Sequence, residues 1–287
     1  MDLLLQLAWD GVANGSHYAL LALGFGLIFD TTRIVHFAYG PIYALAAYLA
    51  WSLVDQAGLP LVPAALGATA ATALIGLAAY LALYRPLERQ GGRSYVLLAA
   101  SLGLFMVAAN LPGLLFGTNN KTLRGLDDTV FFLGDVAISL TQIAQVAALL
   151  AVALALFAFM RGTHYGRAIR ALADNPAMAR VVGVNVDGVT LLVFALGSAV
   201  SAVAAVLFLA RNGAYPAMGF RAVFIAFVSV VIGGVGSLPG AAVAGLLLGL
   251  TESLGMWEIP SEWQSSIAFM VLFVVLLVRP TGLFRGR

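Results

Sequence analysis

Residues 222–251 read AVFIAFVSVVIGGVGSLPGAAVAGLLLGLT, thirty residues without an Asp, Glu, Lys or Arg. At 1.5 Å per residue a single helix of this length would reach ~45 Å, well beyond the ~30 Å hydrocarbon core of a bilayer. Its middle, Gly233-Gly234-Val235-Gly236-Ser237-Leu238-Pro239-Gly240, holds four glycines and a proline, which no continuous helix sustains. The stretch therefore reads as two apolar helices joined by a break, or as a re-entrant segment, and the surrounding solvent must be lipid.

The rest of the chain repeats the pattern. Charge-free runs also occupy 11–29, 34–54, 56–84, 94–120, 136–160, 188–210 and 263–278. A spanning helix needs ~20 apolar residues; most of these runs reach that length, 11–29 nearly does, and 263–278 can extend over its flanks. Across all 287 residues, 62% are apolar and 10% charged, against ~45–50% and ~25% in soluble domains. The fold class is an all-α polytopic membrane protein with about 8–10 transmembrane segments, forming a single domain over 1–287. The ~10-residue alternating segments of a β-barrel are missing. With no cysteine, disulfides, thiolate metal sites and cysteine nucleophiles are excluded. Met1-Asp2 opens the chain without a basic n-region, so no cleaved signal peptide is expected. The net charge of +2 comes from arginines in short loops. These are explained by membrane topology, with lipid and not nucleic acid as the partner.

Arg85, Arg89 and Arg93 share one loop with Glu88, and Arg161, Arg167, Arg170 and Arg180 share another. The positive-inside rule puts both in the cytoplasm. The loop 121–135 between them, with Lys121, Arg124, Asp127, Asp128 and Asp135, is net acidic and reads as external. Arg279, Arg285 and Arg287 suggest a cytoplasmic C-terminus. A second break lies at 30–41, DTTRIVHFAYGP, inside an otherwise apolar stretch from 11 to 54. Counting both breaks as turns gives nine segments with the N-terminus outside. Broken helices in both halves of a chain point to a transport pathway at the interface of inverted repeats, because unpaired backbone is tolerated only inside protein or beside a wet cavity. Candidate pathway residues are His36, Phe37, Tyr39 and Gly40 in the first break and Gly233, Gly234, Gly236, Ser237 and Pro239 in the second. The alternative is a pair of ordinary tight loops at the membrane face. Gly245-Leu-Leu-Leu-Gly249 fits the small-residue pattern of close helix packing, more often internal than dimeric.

The chain carries no engine of its own. Ion-coupled carriers keep ionisable groups within their spans. Here His17 and His36 are the imidazoles near membrane segments, and Glu252, near Trp257, reads as interfacial. The one lysine, Lys121, follows Asn120, so no phosphate-binding P-loop exists. An intramembrane hydrolase would need a serine with a base, and Ser101 and Ser198 show no histidine partner. No catalytic residue, cofactor or metal is expected in this chain. A passive channel or a permease driven by a separate ATPase remains.

The segment 161–188 is cytoplasmic and highly structured. Asp174 or Asn175 can cap a helix that Pro176 opens and Gly183 ends, a helix of about two turns over 176–182. Met178, Val181 and Val182 give it an apolar side and Arg180 a polar one. Such a helix can sit in the cleft of a soluble motor; the alternative is a structured loop held by positive-inside arginines. Asn175-Pro176-Ala177 also matches the aquaporin tripeptide. Aquaporins, however, need two copies within the membrane, and this chain has one, in a polar loop.

Three blocks resemble a known family: Gly15–Phe29 leading into Val35–Gly40 and Tyr43–Tyr48; Gly166–Asn175 with Ala179 and Gly183; and Ile232–Gly240 with Gly245–Glu252. Together they resemble the permease subunits of bacterial ATP-binding-cassette importers for branched-chain amino acids, of the smaller, LivH-like type. His36 stands where asparagine is common in that family. The resemblance implies a non-catalytic inner-membrane subunit working by alternating access. Its implied partners are a larger paralogous (LivM-like) permease subunit, two cytoplasmic ATPase subunits that bind ATP and Mg, and an extracytoplasmic substrate-binding protein. It also implies that the second block docks on the ATPase, through Arg167, Arg170, Ala171, Asp174, Asn175, Met178, Ala179 and Gly183. Relatives in the same family carry urea, short amides or small organic acids, so these remain alternative solutes.

Overall fold

A computed structural model describes residues 2–123, 129–134, 136–258, 260 and 263–284. The loop charges Arg124, Asp127, Asp128 and Asp135 and the tail residues Arg285 and Arg287 lie outside the described residues. Nine long apolar helices are present among those described. They are α1 (Asp2–Thr32), α2 (Tyr39–Trp51), α3 (Leu61–Ala79), α5 (Ser94–Phe116), α6 (Leu140–Gly162), α9 (Val186–Asn212), α10 (Met218–Gly233), α11 (Leu238–Gly255) and α12 (Gln264–Val278). Short helices α4 (Arg85–Arg89), α7 (His164–Asp174) and α8 (Pro176–Val181) lie in the basic loops. Strands β1 (Val130–Leu133) and β2 (Val136–Ser139) pair antiparallel, with Val130 opposite Ser139 and Leu133 opposite Val136. Six helical stretches are long and apolar enough to span a bilayer unaided, and α10 and α12 are shorter apolar helices.

α1 is the hub. It is largely apolar, and most of it is buried, as a helix enclosed by others must be. Its largest neighbour is α11, packed antiparallel through facing small residues. A Cβ added to Gly15 would stand 2.6 Å from the Leu246 carbonyl oxygen, and one on Gly249 would collide with the Gly15 backbone. The Gly245–Gly249 pair thus serves internal packing, and Gly11 with Gly15 supplies the matching groove on α1. At the periphery, α5, α6 and α12 turn Met106, Leu114, Leu154, Phe273 and Leu277 outward as a lipid-facing belt.

Contacts across the two faces fix the topology. On one face the two basic loops are joined directly. Asp187 accepts from Arg85 (3.0 Å) and Arg89 (2.8 Å), and Arg33 reaches the Ala173 carbonyl. On the other face Gln6 brackets Ala137 with two hydrogen bonds, and Lys121 pairs with Ala214. By the positive-inside rule the basic face is the inner one, so α1 runs from the outer face to the inner.

Both breaks are present and both are tied to the inner end of α1. The first, 33–38, is irregular backbone that starts at Arg33, the one described non-glycine residue with positive φ (59°), and ends in a turn at 37–38. The second, 234–237, turns on Gly234 (φ 100°) and Gly236 (φ 94°), and the Gly236 N–H donates to Asp30 at 2.8 Å. A third interruption, 213–217, is the geometric counterpart of the first. Ala38 and Ala217 cap α2 and α10 with nearly the same dihedrals (φ −63°, ψ −7° and φ −80°, ψ −4°). The contacts are reciprocal as well. A Cβ on Gly24 would meet the Gly197 carbonyl oxygen at 2.8 Å, and one on Gly197 would meet that of Gly24 at 2.7 Å. Gly40 and Gly219 oppose each other in the same way. The unit α1–α2 thus faces α9–α10 across a local pseudo-twofold axis, with opposite membrane orientation.

Candidate functional site

The re-entrant start of α10 brings charge into the bundle. Arg221, one turn into α10, reaches the hydroxyl of Tyr18, midway along α1, at 3.2 Å. The same hydroxyl donates to Glu252 of α11 at 2.7 Å, and Arg221 lies 3.8 Å from that carboxylate. Glu252 is only 1% exposed. From sequence, Glu252 reads as interfacial and the spans as nearly free of ionisable groups. Arg221 and Glu252 flank one charge-free run in sequence, and the 213–217 interruption and the α1–α11 packing bring them together against Tyr18, with Glu252 buried within the protein.

Above this cluster a cavity of about 290 Å³ opens in the outer half of the bundle. Its polar wall is Asn14, His17, Tyr18, Gln145, Arg211 and Arg221; its apolar wall includes Leu21, Phe208, Met218 and Ile225. Arg211 donates to Asn14 at 2.9 Å and lies 3.8 Å from Asp10. Tyr43 closes the floor, its hydroxyl 3.3 Å from His17 Nε2. Toward the inner face the way is filled by rings. Phe25 meets Tyr39 and Phe227 edge to face at 5.7 and 6.3 Å, and Phe37 sits 6.4 Å from Phe227. A small polar pocket outside and an aromatic plug inside are what one end of a gated pathway requires.

The residues singled out from sequence fall elsewhere. His36 is fully buried, its Nδ1 2.7 Å from the Tyr84 hydroxyl. The Phe37 N–H donates to Ser101 Oγ at 2.6 Å, and the Tyr39 hydroxyl to the Leu21 carbonyl at 3.0 Å. Gly40 lies against Gly219. Gly233 packs on Gly240. Gly234 and Gly236 make the inner turn, Ser237 caps α11 by accepting from the Gly240 N–H at 3.2 Å, and Pro239 sits in the first turn. None of the nine lines the outer cavity. Phe37 and Tyr39 belong to the plug, while 233–239 form the inner turn. The cavity residues were hidden because Asn14, Tyr18, Gln145 and Arg221 come from segments far apart in the chain and meet only in the packed bundle. A signal did exist: Arg211 and Arg221 stand ten residues apart between two runs that loop charges alone need not separate.

On the inner face, α7 and α8 build the segment expected to meet a motor. α7, unforeseen in sequence, is strongly amphipathic. Ile169 and Leu172 are buried beneath, whereas Arg167 and Arg170 are exposed, Arg170 donating to the Met160 carbonyl at 2.6 Å. Asp174 ends α7 in the open, and Ala171 lines an open groove against the start of α9. The cap of α8 is Asn175, whose Oδ1 accepts from the Ala177 and Met178 N–H groups at 3.0 and 3.1 Å. Ala179 points inward, fully packed. Gly183 ends the helix with φ 85°, a conformation that suits glycine. Met178, Val181 and Val182 stand 57, 78 and 70% exposed, a bare apolar face on the basic side of the bundle.

Comparison with known proteins accords with this arrangement. Residues 7–276 match the family model described as branched-chain amino acid transport system / permease component. The chain belongs to that permease family. It is 33% identical to the high-affinity branched-chain amino acid transport system permease protein BraD of Pseudomonas aeruginosa, over 97% of this chain and 95% of that one. It is 31% identical to the corresponding LivH of Escherichia coli K12, over 97% and 94%. Among solved structures, PsaBC from Streptococcus pneumoniae in complex with Fab superposes with a TM-score of 0.56 over 97% of this chain and 92% of that one; at 12% identity it shows a shared fold. This member of the permease family is therefore a multi-pass, all-α transport component, and the α7–α8 segment, the outer cavity and the plug all lie within the matched region.

Proposed function

We propose that this chain is one of two permease subunits of an ATP-driven importer of the bacterial inner membrane. It would carry branched-chain or other hydrophobic amino acids inward by alternating access. In this reading a larger, LivM-like paralogue completes the pathway and a binding protein delivers solute to the outer cavity. Two cytoplasmic ATPases bind the ATP and Mg, and the chain itself performs no catalysis. The names of its relatives supply the solute class. The observation that carries the reading is α8, a capped helix whose apolar face is left bare on the basic side of the bundle.

The mechanical route follows from the packing. α8 follows α7 across the single extended residue Asn175, and α7 is held to the inner end of α1 through Ile169, Leu172 and the Arg33 bond to Ala173. α1 carries His17, Tyr18 and Leu21 in the cavity and Phe25 in the plug. A displacement of α8 by a closing motor therefore shifts cavity and plug together, biasing one two-state bundle from both faces. Reconstitution of the complete transporter in proteoliposomes with L-leucine tests this. Gly183→Pro cannot hold φ 85° and removes the N–H that donates to the Arg180 carbonyl. Asp174→Arg reverses an exposed charge beside the cap. Both variants should insert normally and lose uptake by about tenfold or more, the scale of ~1.4 kcal/mol of lost coupling. Undiminished uptake in both would remove α8 from the drive train.

A further inference from the structure

We infer that Arg221, backed by Tyr18 and Glu252, forms a subsite in the permease's own outer cavity that recognises the α-carboxylate of a zwitterionic solute. The inference deepens the proposed function and rests on it for the choice of probe.

The argument is one of charge and unmet bonding. Arg221 lines the cavity, and its side chain is 45% exposed. Its hydrogen bond goes to the Tyr18 hydroxyl at 3.2 Å and its ion-pair distance to Glu252 is a loose 3.8 Å. A guanidinium carries five N–H donors in a planar fork matched to carboxylate geometry, and this pairing engages few of them. On the far side Glu252 Oε1 is buried with no hydrogen-bond partner among the described residues, and so is His17 Nδ1, whose ring borders the cavity. Buried polar groups are rarely left so. The balance of the site matters as much as its donors. Arg221 is compensated by Glu252, and Arg211, on the rim, by Asp10. The cavity is close to neutral overall, so a net anion or cation would be poorly matched. A solute bearing both signs can exchange one set of loose pairings for tighter ones. Leu21, Met218 and Ile225 offer an apolar wall for its side chain. At about 290 Å³ the space sits at the lower edge of small-molecule sites, suited to a single amino acid. Glu252 is a positioning residue: it orients Arg221 through Tyr18 and cancels its charge.

The test uses the complete transporter in nanodiscs without nucleotide or binding protein. Its probes are L-leucine, isopentylamine (leucine without the carboxylate) and 4-methylpentanoate (leucine without the ammonium). The readouts are the ligand-induced rise in Tm and, in proteoliposomes, L-leucine uptake. Wild type should be stabilised most by L-leucine. Arg221→Gln should abolish that rise and lower uptake by about tenfold or more, as expected for losing a charged hydrogen bond, while Arg221→Lys restores part of both. Glu252→Gln keeps the shape and the Tyr18 contact but leaves the cavity positive. It should reverse the preference, so that 4-methylpentanoate now stabilises more than L-leucine; a merely structural role for Glu252 would weaken all probes alike. Equal stabilisation of wild type and Arg221→Gln by L-leucine overturns the subsite even if uptake is intact. A wild type stabilised by L-leucine that transports none would overturn the proposed function and leave the subsite standing. A wild type that L-leucine neither stabilises nor passes through would overturn both.

Discussion

At the scale of single residues, the inner-face segment shows how a short helix is specified locally. α8 has six residues, too few to persist on its own propensity, and its ends do the work. Asn175 Oδ1 satisfies two N–H groups that Pro176 cannot help with, and Gly183 closes the other end. Substituting a cap by alanine costs ~0.5–2 kcal/mol, a small share of a folded membrane protein but a large share of so short a helix. Asn175→Ala should therefore leave the Tm of the purified complex within a few degrees. Binding-protein-stimulated ATP hydrolysis should drop several-fold, and Asn175→Asp should retain it. Equal ATPase rates in Asn175→Ala and wild type would deny the cap any part in coupling. This grammar was legible in the sequence because capping is decided within a few residues. Glu252 was not legible: its burial depends on α1, which is over two hundred residues away in the chain.

At the scale of elements, the α1–α11 pair is the one on which the bundle depends. Helices in lipid gain no hydrophobic drive from meeting each other, so close backbone approach supplies the attraction. Gly249 lies on the Gly15 backbone with no room for a side chain. Gly249→Leu must push the helices apart, and overpacking of this kind costs ~1–3 kcal/mol or more. We expect a lower yield of monodisperse protein and a depressed Tm, whereas Thr251→Leu, exposed on the same helix, should change neither. A Gly249→Leu protein as stable as wild type would show the contact to be slack. The sequence marks Gly245 and Gly249 as packing residues, but Gly11 and Gly15 become visible as their partner only once the helices are docked. α7 is hidden in sequence for a related reason. Its amphipathic face, Ile169 and Leu172 over Arg167 and Arg170, lies in a short basic loop whose arginines topology alone accounts for.

At the scale of the whole molecule, the start of α1 and the β1–β2 hairpin, joined through Gln6 and Ala137, lie on the face opposite both basic loops. The chain has no cysteine, so single-cysteine variants report position directly. In right-side-out vesicles a membrane-impermeant maleimide should label Leu133→Cys, exposed on the hairpin, and should miss Gly91→Cys until the membrane is opened. Labelling of Gly91→Cys in sealed vesicles would invert the topology and with it the sidedness of cavity and plug. The same global view explains the third interruption. Residues 213–217 carry a glycine and a proline between two charge-free runs. That they mirror 33–38 emerges from the reciprocal contacts of Gly24 with Gly197 and of Gly40 with Gly219, because inverted repeats conserve packing geometry while their residues diverge.

The sequence alone determined the solvent, the helical class, the inner face and the capped helix upon it. Each of these follows from local composition or from spacing within a turn or two, where lipid partitioning and backbone hydrogen bonding act. Only the tertiary structure decided that Arg221, Tyr18 and Glu252 share one site, that the outer cavity lies beside them, and that the residues of the first break sit in the core or the plug. Those facts depend on which helices touch and at what depth. That choice is made by backbone-to-backbone contact between segments far apart in the chain, and no local pattern encodes it.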